Sequence, residues 1–140
     1  MASFANYLED LVLNATLRGT AWPAWTTGSH YVALFTAAPS DTGGGTEVTG
    51  GAYARVAVSR AAGTWAAPAD NAGAQQTSNV GAVTFPSPTA NWGTVTHFAI
   101  FDAATAGNML AWGPLGTSRN ILNGDNAPSF AAGALSVSLS

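Results

Sequence analysis

Apolar and polar positions fall into two regimes along this chain. From Ser3 to Leu17 the apolar residues Phe4, Tyr7, Leu8, Leu11, Val12 and Ala15 recur at three- and four-residue spacing, which predicts an amphipathic helix. Ser3 is placed to cap its start. Glu9 and Asp10 lie toward its positive end, Arg18 closes it, and Gly19 can turn the chain away. Beyond this helix every apolar run is short and is bounded by Gly, Pro, Asn or Ser, the punctuation of strands and turns.

The strongest strand signal is Asn91 to Asp102, returning through Asn108 to Leu115 after the short loop Ala103–Gly107. Thr, Val, Phe and Ile suit a pleated surface. Phe98 and Ile100 are expected on one face, and Val95, Ala99 and Phe101 on the other, so this hairpin reads as a central one covered on both sides. His30 to Thr36 reads as a second central strand. In the half-buried stretch from Ala52 to Arg60, Ala54, Val56 and Val58 face in and Arg55 and Ser59 face out. Further strands are expected over Val80 to Phe85, ended by Pro86 and Pro88, and over the alternating Ala134 to Leu139. Thr117 to Leu122 reads as a short or bulged strand. Ala37 to Gly51 and Ala61 to Asn79 read as loops, the latter anchored by Trp65 with room for one short edge strand. Thr20 to Ser29 reads as a linker carrying Trp22 and Trp25. The expected fold is mainly β: a β-sandwich or jelly-roll-like barrel of about seven or eight short strands with one N-terminal helix. Residues 1–19 form the helix or arm and 20–140 a single β domain.

Composition narrows the function. Charged residues make up 8% of the 140, against about 25% in an ordinary domain. Four scattered arginines and no lysine cannot track a phosphate backbone, so nucleic-acid binding is not expected. A surface poor in charge suits burial against other subunits, since charge is depleted at interface cores. There is no cysteine, so no disulfide and no thiolate metal site. No apolar run approaches the roughly 18 residues of a membrane helix, and the N-terminus lacks the basic and apolar regions of a secretory signal.

Candidate chemistry is sparse. The Gly43-Gly44-Gly45-Thr46 run lacks the lysine and the strand–loop–helix setting of a phosphate loop. His97 and Asp102 are the best acid–base pair, but five residues apart on one strand they point to opposite faces. No His spacing suits a metal, no serine elbow is present, and Asp41 to Glu47 lacks the alternating oxygen ligands of a calcium loop. No catalytic, cofactor-binding or metal-ligating residue is therefore expected, and the chain is not expected to be an enzyme. Asp102 and Asn108 are expected to bond the hairpin turn.

The blocks Tyr31–Pro39, Gly44–Val48, Gly51–Arg55 and Trp92–Asp102 together resemble a family of small tailed-bacteriophage virion proteins, often labelled tail-fibre proteins. Asn6–Glu9 and Phe130–Leu135 are similar too, leaving only Ala61 to Asn79 without a match. The resemblance implies a structural virion protein without catalytic residues. A fibre needs length from a coiled coil or repeats, and the chain has neither. The compact shape therefore points first to a capsid decoration or cement protein, with a small tail-fibre, tail-tip or baseplate component as the alternative. Host-glycan stacking on Trp65, Trp92 or Trp112 would accompany a tail role. The expected partners are the major capsid protein or other virion proteins, and further copies of the chain, with a trimer as the guess. Candidate interface residues are Phe4, Tyr7, Leu8, Leu11, Trp22 and Trp25, with Asp41 and Glu47 in the 37–51 loop.

Overall fold

The hairpin expected at the centre is there, and the computed structural model, which describes residues 2–25 and 27–139, builds everything else around it. In chain order the elements are β1 (Ser3–Phe4), α1 (Asn6–Leu17), β2 (Ser29–Ala37), β3 (Thr46–Glu47), β4 (Val56–Ser59), β5 (Ala69–Asn71), β6 (Ala74–Ser78), β7 (Val83–Thr84), β8 (Gly93–Phe101), β9 (Met109–Ile121), β10 (Ser129–Phe130) and β11 (Ser136–Leu139). The main sheet runs β1-β9-β8-β2-β3, with β4 also pairing β2. A three-stranded sheet runs β11-β6-β5, and β10 pairs β7. All these pairs are antiparallel. The fold is mainly β with one N-terminal helix. Among the described residues it has eleven strands rather than seven or eight, and its sheets are open rather than closed into a barrel.

One core joins the three sheets. Val32, Leu34, Phe98, Ile100, Leu110 and Ile121 from the main sheet pack with Val83 and Val137 from the smaller ones and with Phe85 and Leu135 beside them. The opposite face of the main sheet carries a smaller cluster of Ala5, Ala33, Phe35, Ala99 and Met109. Alternation along β2 and β8 produces this division, with one exception. Val95 lies with Phe98 and Ile100, not with Ala99 and Phe101. The β8–β9 register shifts between Val95 and His97, and one irregular position reverses the side-chain parity. The segment from Thr117 is not a separate strand but the bulged continuation of β9.

Several local expectations change. Ser3 is not a helix cap: it pairs with Trp112 in β1, and the helix starts at Asn6 behind Ala5, which offers no capping side chain. Gly113 allows that pairing, because a Cβ there would meet the Cα of Ala2 at 2.7 Å. At the other end Gly19 turns at φ +67° and the Thr20 N–H donates back to Asn14 O. Phe4, Tyr7 and Leu8 pack on the main core, so the helix lies against the sheet. The stretch 52–60 is strand only from Val56 to Ser59, and 80–85 only at Val83–Thr84. The supposed loop 61–79 contains the β5–β6 hairpin, joined by Ala72 and Gly73 at φ +54° and +90°. The chain closes on itself: the Ala2 N–H donates to Ser136 O, the Ser138 N–H donates to Ala2 O, and Ala2 bridges Val137.

Candidate interaction surface

Two tied-down clusters and an open apolar groove stand out among the described residues. The first cluster surrounds Arg55, which the alternation places outward but whose side chain is 8% exposed. Between the end of β3 and the start of β4, the Leu34 N–H of β2 has no strand partner. The Tyr53 hydroxyl accepts it at 3.0 Å and donates onward to Glu47 Oε1 at 2.9 Å. Arg55 closes a two-point pair on the same carboxylate through Nε and Nη2, each at 2.8 Å. Its Nη1 donates to the carbonyls of Ala103 and Ala106 in the β8–β9 turn, and its guanidinium lies 3.6 Å from the centre of the Phe101 ring. Burial first, with the adjacent Glu47 carboxylate adding to it, holds the Tyr53 phenol above its ordinary pKa, so it remains a donor.

The second cluster binds the 37–45 loop to the helix side of the sheet. Asp41 accepts the Trp112 indole N–H at 2.8 Å, and its carbonyl accepts the Asn6 N–H. Nearby, Asp102 accepts the Asn108 backbone N–H at 2.7 Å and the Asn108 amide at 2.9 Å, the expected turn bonds. These groups border a basin of about 620 Å³ between the helix and the 41–47 loop, but its Asp41, Glu47 and Asn108 are engaged internally. Of the two members of the acid–base pair, His97 bonds Thr96 and Asp102 bonds Asn108.

The groove is different. It encloses about 420 Å³ between Phe4, Leu8 and Val12 on one side, Trp22 and Trp25 from the linker, and Trp65 and Leu139 opposite. Trp22 and Trp25 meet edge to face at 6.0 Å, and Trp22 is 45% exposed, as Leu139 is at 47%. Of the residues expected at an interface, the structure brings Phe4, Leu8, Trp22 and Trp25 together here. Tyr7 borders the basin, Leu11 is half-buried on the helix, and Asp41 and Glu47 belong to the internal networks. Sequence reasoning did not place Trp65, His30 or Leu139 here, because three elements far apart in the chain supply them. Of the three tryptophans offered for sugar stacking, Trp92 is buried with its indole donating to Gly51 O, Trp112 donates its indole N–H to Asp41, and Trp65 lines the groove.

His30 lines the groove edge-on to Trp25 at 5.8 Å. Burial, then the nearby Arg60 charge, lowers its pKa from 6.5 to about 4, against a smaller pull from Asp102. It is therefore neutral in the folded state at pH 7. Between pH 6.5 and 4 the unfolded chain binds a proton that the folded chain does not, so stability is full above 6.5 and falls as pH drops toward 4. After discounting for solvent screening, the loss is on the order of 1–2 kcal/mol. Urea midpoints of the wild type should fall over that window, and those of His30→Gln should fall by about that much less. Identical pH profiles would refute this account.

Three packed sheets, few charges and an apolar groove are the features of a β module built for contact. The family model described as Podophage GP4 fiber I protein gp80 matches residues 3–138, and the chain belongs to that family, a phage tail-fibre family. It is a structural protein of the bacteriophage virion. No curated protein matches it.

Proposed function

We propose that the chain is a tail-fibre component that acts by binding, not catalysis, and that its apolar groove packs against a neighbouring tail protein of the virion. The observation that carries this reading is the family match over residues 3–138. The groove supports it, because its lining is apolar apart from His30 and Thr77 and leaves Trp22 and Leu139 half exposed. Covering such a surface gains about 25 cal/mol per Å² of apolar area. Compactness alone favoured capsid decoration. A fibre family removes that preference, since a compact domain can serve as one segment of a multi-chain fibre.

Trp22→Asp is expected to reduce incorporation into virions at least tenfold, with a thermal midpoint within a few degrees of the wild type because Trp22 is half exposed. Quantitative mass spectrometry of purified particles reads the incorporation, and gold-labelled antibody reads the position. Incorporation at wild-type level would refute the groove as the attachment surface. Label spread over the head, at a copy number near that of the capsid protein, would restore the decoration reading.

A further inference from the structure

Among the described residues, the buried side-chain nitrogens left without a hydrogen-bond partner are His30 Nε2, Arg60 Nε and Trp65 Nε1. They come from β2, from the end of β4 and from the stretch before β5, yet they gather in one region. His30 and Trp65 line the apolar groove. Trp25, Trp65 and Thr77 are shared between the groove and an adjoining hollow, which Arg60 lines. Arg60 is held there from two sides: its guanidinium lies 5.2 Å from the centre of the Trp25 ring, and its Nη1 donates to Thr27 O at 3.3 Å. Its charge has no acidic partner among the described residues.

The three nitrogens define what would complete this surface. Trp65 Nε1 and Arg60 Nε can only donate, and a neutral His30 donates through Nε2 in one of its two tautomers. No Asp or Glu is among the described residues that line either hollow, and the Thr77 hydroxyl donates to Ala66 O at 2.7 Å. A wholly apolar occupant would leave all three nitrogens stranded away from water, which buried polar groups rarely are. A basic occupant would set like charge against Arg60. A carboxylate brings two acceptor oxygens and the opposite charge, and bonds between ionised groups are the strong ones.

We infer that the groove receives an acidic–apolar segment of the neighbouring tail protein, with an apolar side chain among Leu8, Trp22 and Trp25 and an Asp or Glu carboxylate against Trp65 and Arg60. The inference rests on the groove being the attachment surface, and it adds the charge and hydrogen-bonding chemistry of the partner.

Phenylpropanoate, phenylpropanol and phenylpropylamine share one apolar body and differ in the head group. Each is titrated to about 20 mM into the full chain at neutral pH, and heteronuclear NMR follows the Trp65 indole N–H and the Arg60 Nε–H. The carboxylate should bind at least tenfold tighter than the alcohol and move both signals, and the amine should bind more weakly than the alcohol. Arg60→Met, which keeps an apolar stem, should lose the carboxylate preference. Trp65→Phe, which keeps an aromatic ring and removes the N–H, should reduce it without change in the circular dichroism spectrum, and it carries the test if Arg60→Met does not fold. In virions Arg60→Glu should lower incorporation at least tenfold. A wild type that binds the alcohol as tightly as the carboxylate, a preference untouched by these substitutions, or no movement of either signal would each overturn the inference. A carboxylate preference with wild-type incorporation of Arg60→Glu would also overturn it, because the acid would then not be the neighbour's. If Trp22→Asp blocks incorporation while the carboxylate is not preferred, the groove stands as the attachment surface and only its acidic partner falls.

Discussion

Replacing Arg55 with alanine is expected to lower the thermal midpoint by on the order of 10 °C. The side chain is 8% exposed, and its removal strands the Glu47 carboxylate and the carbonyls of Ala103 and Ala106. Breaking a buried pair from one side costs about 3–5 kcal/mol, and the partial exposure of Glu47 places this case near 3. At roughly 2 cal/mol/K of unfolding entropy per residue, a chain of this length loses about 3 °C per kcal/mol. The carboxylate is the stranded charge, so Arg55→Ala with Glu47→Gln should recover part of the loss. Differential scanning calorimetry of the two variants decides. A single variant within 2 °C of the wild type would show that the network does not hold the turn to β3.

The second large effect is expected at Asn79, the one polar side chain fully buried among the described residues, at 2% exposure. Its amide donates to Gly81 O at 2.7 Å and to Ala131 O at 2.9 Å, and its Oδ1 accepts the Leu135 N–H at 2.8 Å. Its backbone N–H also donates to Leu135 O, and its carbonyl accepts the Gly133 N–H. This residue ties the end of β6 to the approach of β11. Asn79→Ala leaves those groups without partners in a dry site, at about 3 kcal/mol, again on the order of 10 °C. Asn79→Asp is no remedy: it keeps the acceptor, loses both donors and buries a charge. Hydrogen exchange should show faster exchange at Leu135 and Gly133 in Asn79→Ala. Unchanged protection together with an unchanged midpoint would dismiss the hub.

Asn79 and Arg55 also show where the sequence was readable. Strands with apolar alternation, β2 and β8 above all, were legible because a buried face imposes a period of two. So was the helix, whose inward residues repeat at the helical period. The β5–β6 hairpin was not, because Ala-Asp-Asn and Ala-Gln-Gln-Thr-Ser have no apolar face, and its turn uses Ala72 where Asn or Asp is the usual signal. Arg55 was placed outward by parity, but β4 begins only at Val56, so no strand period governs it. The carboxylate that holds it lies eight residues back across a loop. Of the eight residues expected at an interface, Phe4, Leu8, Trp22 and Trp25 line the groove, and they were visible as loop tryptophans and helix apolar residues. The groove needed Trp65, His30 and Leu139 as well, and tertiary pairing brings those together.

The clasp at Ala2 has a topological consequence. The Ala2 N–H and C=O bond Ser136 and Ser138, so the two ends of the described chain lie side by side. A fold of this kind is in effect a closed circuit, and the place where it is opened is nearly arbitrary. The break could be moved to the exposed Ala72–Gly73 turn, with residues 2 and 139 joined by a short flexible link, and every sheet would keep its order. A load applied between the two ends would fall on this clasp before it reached the central hairpin.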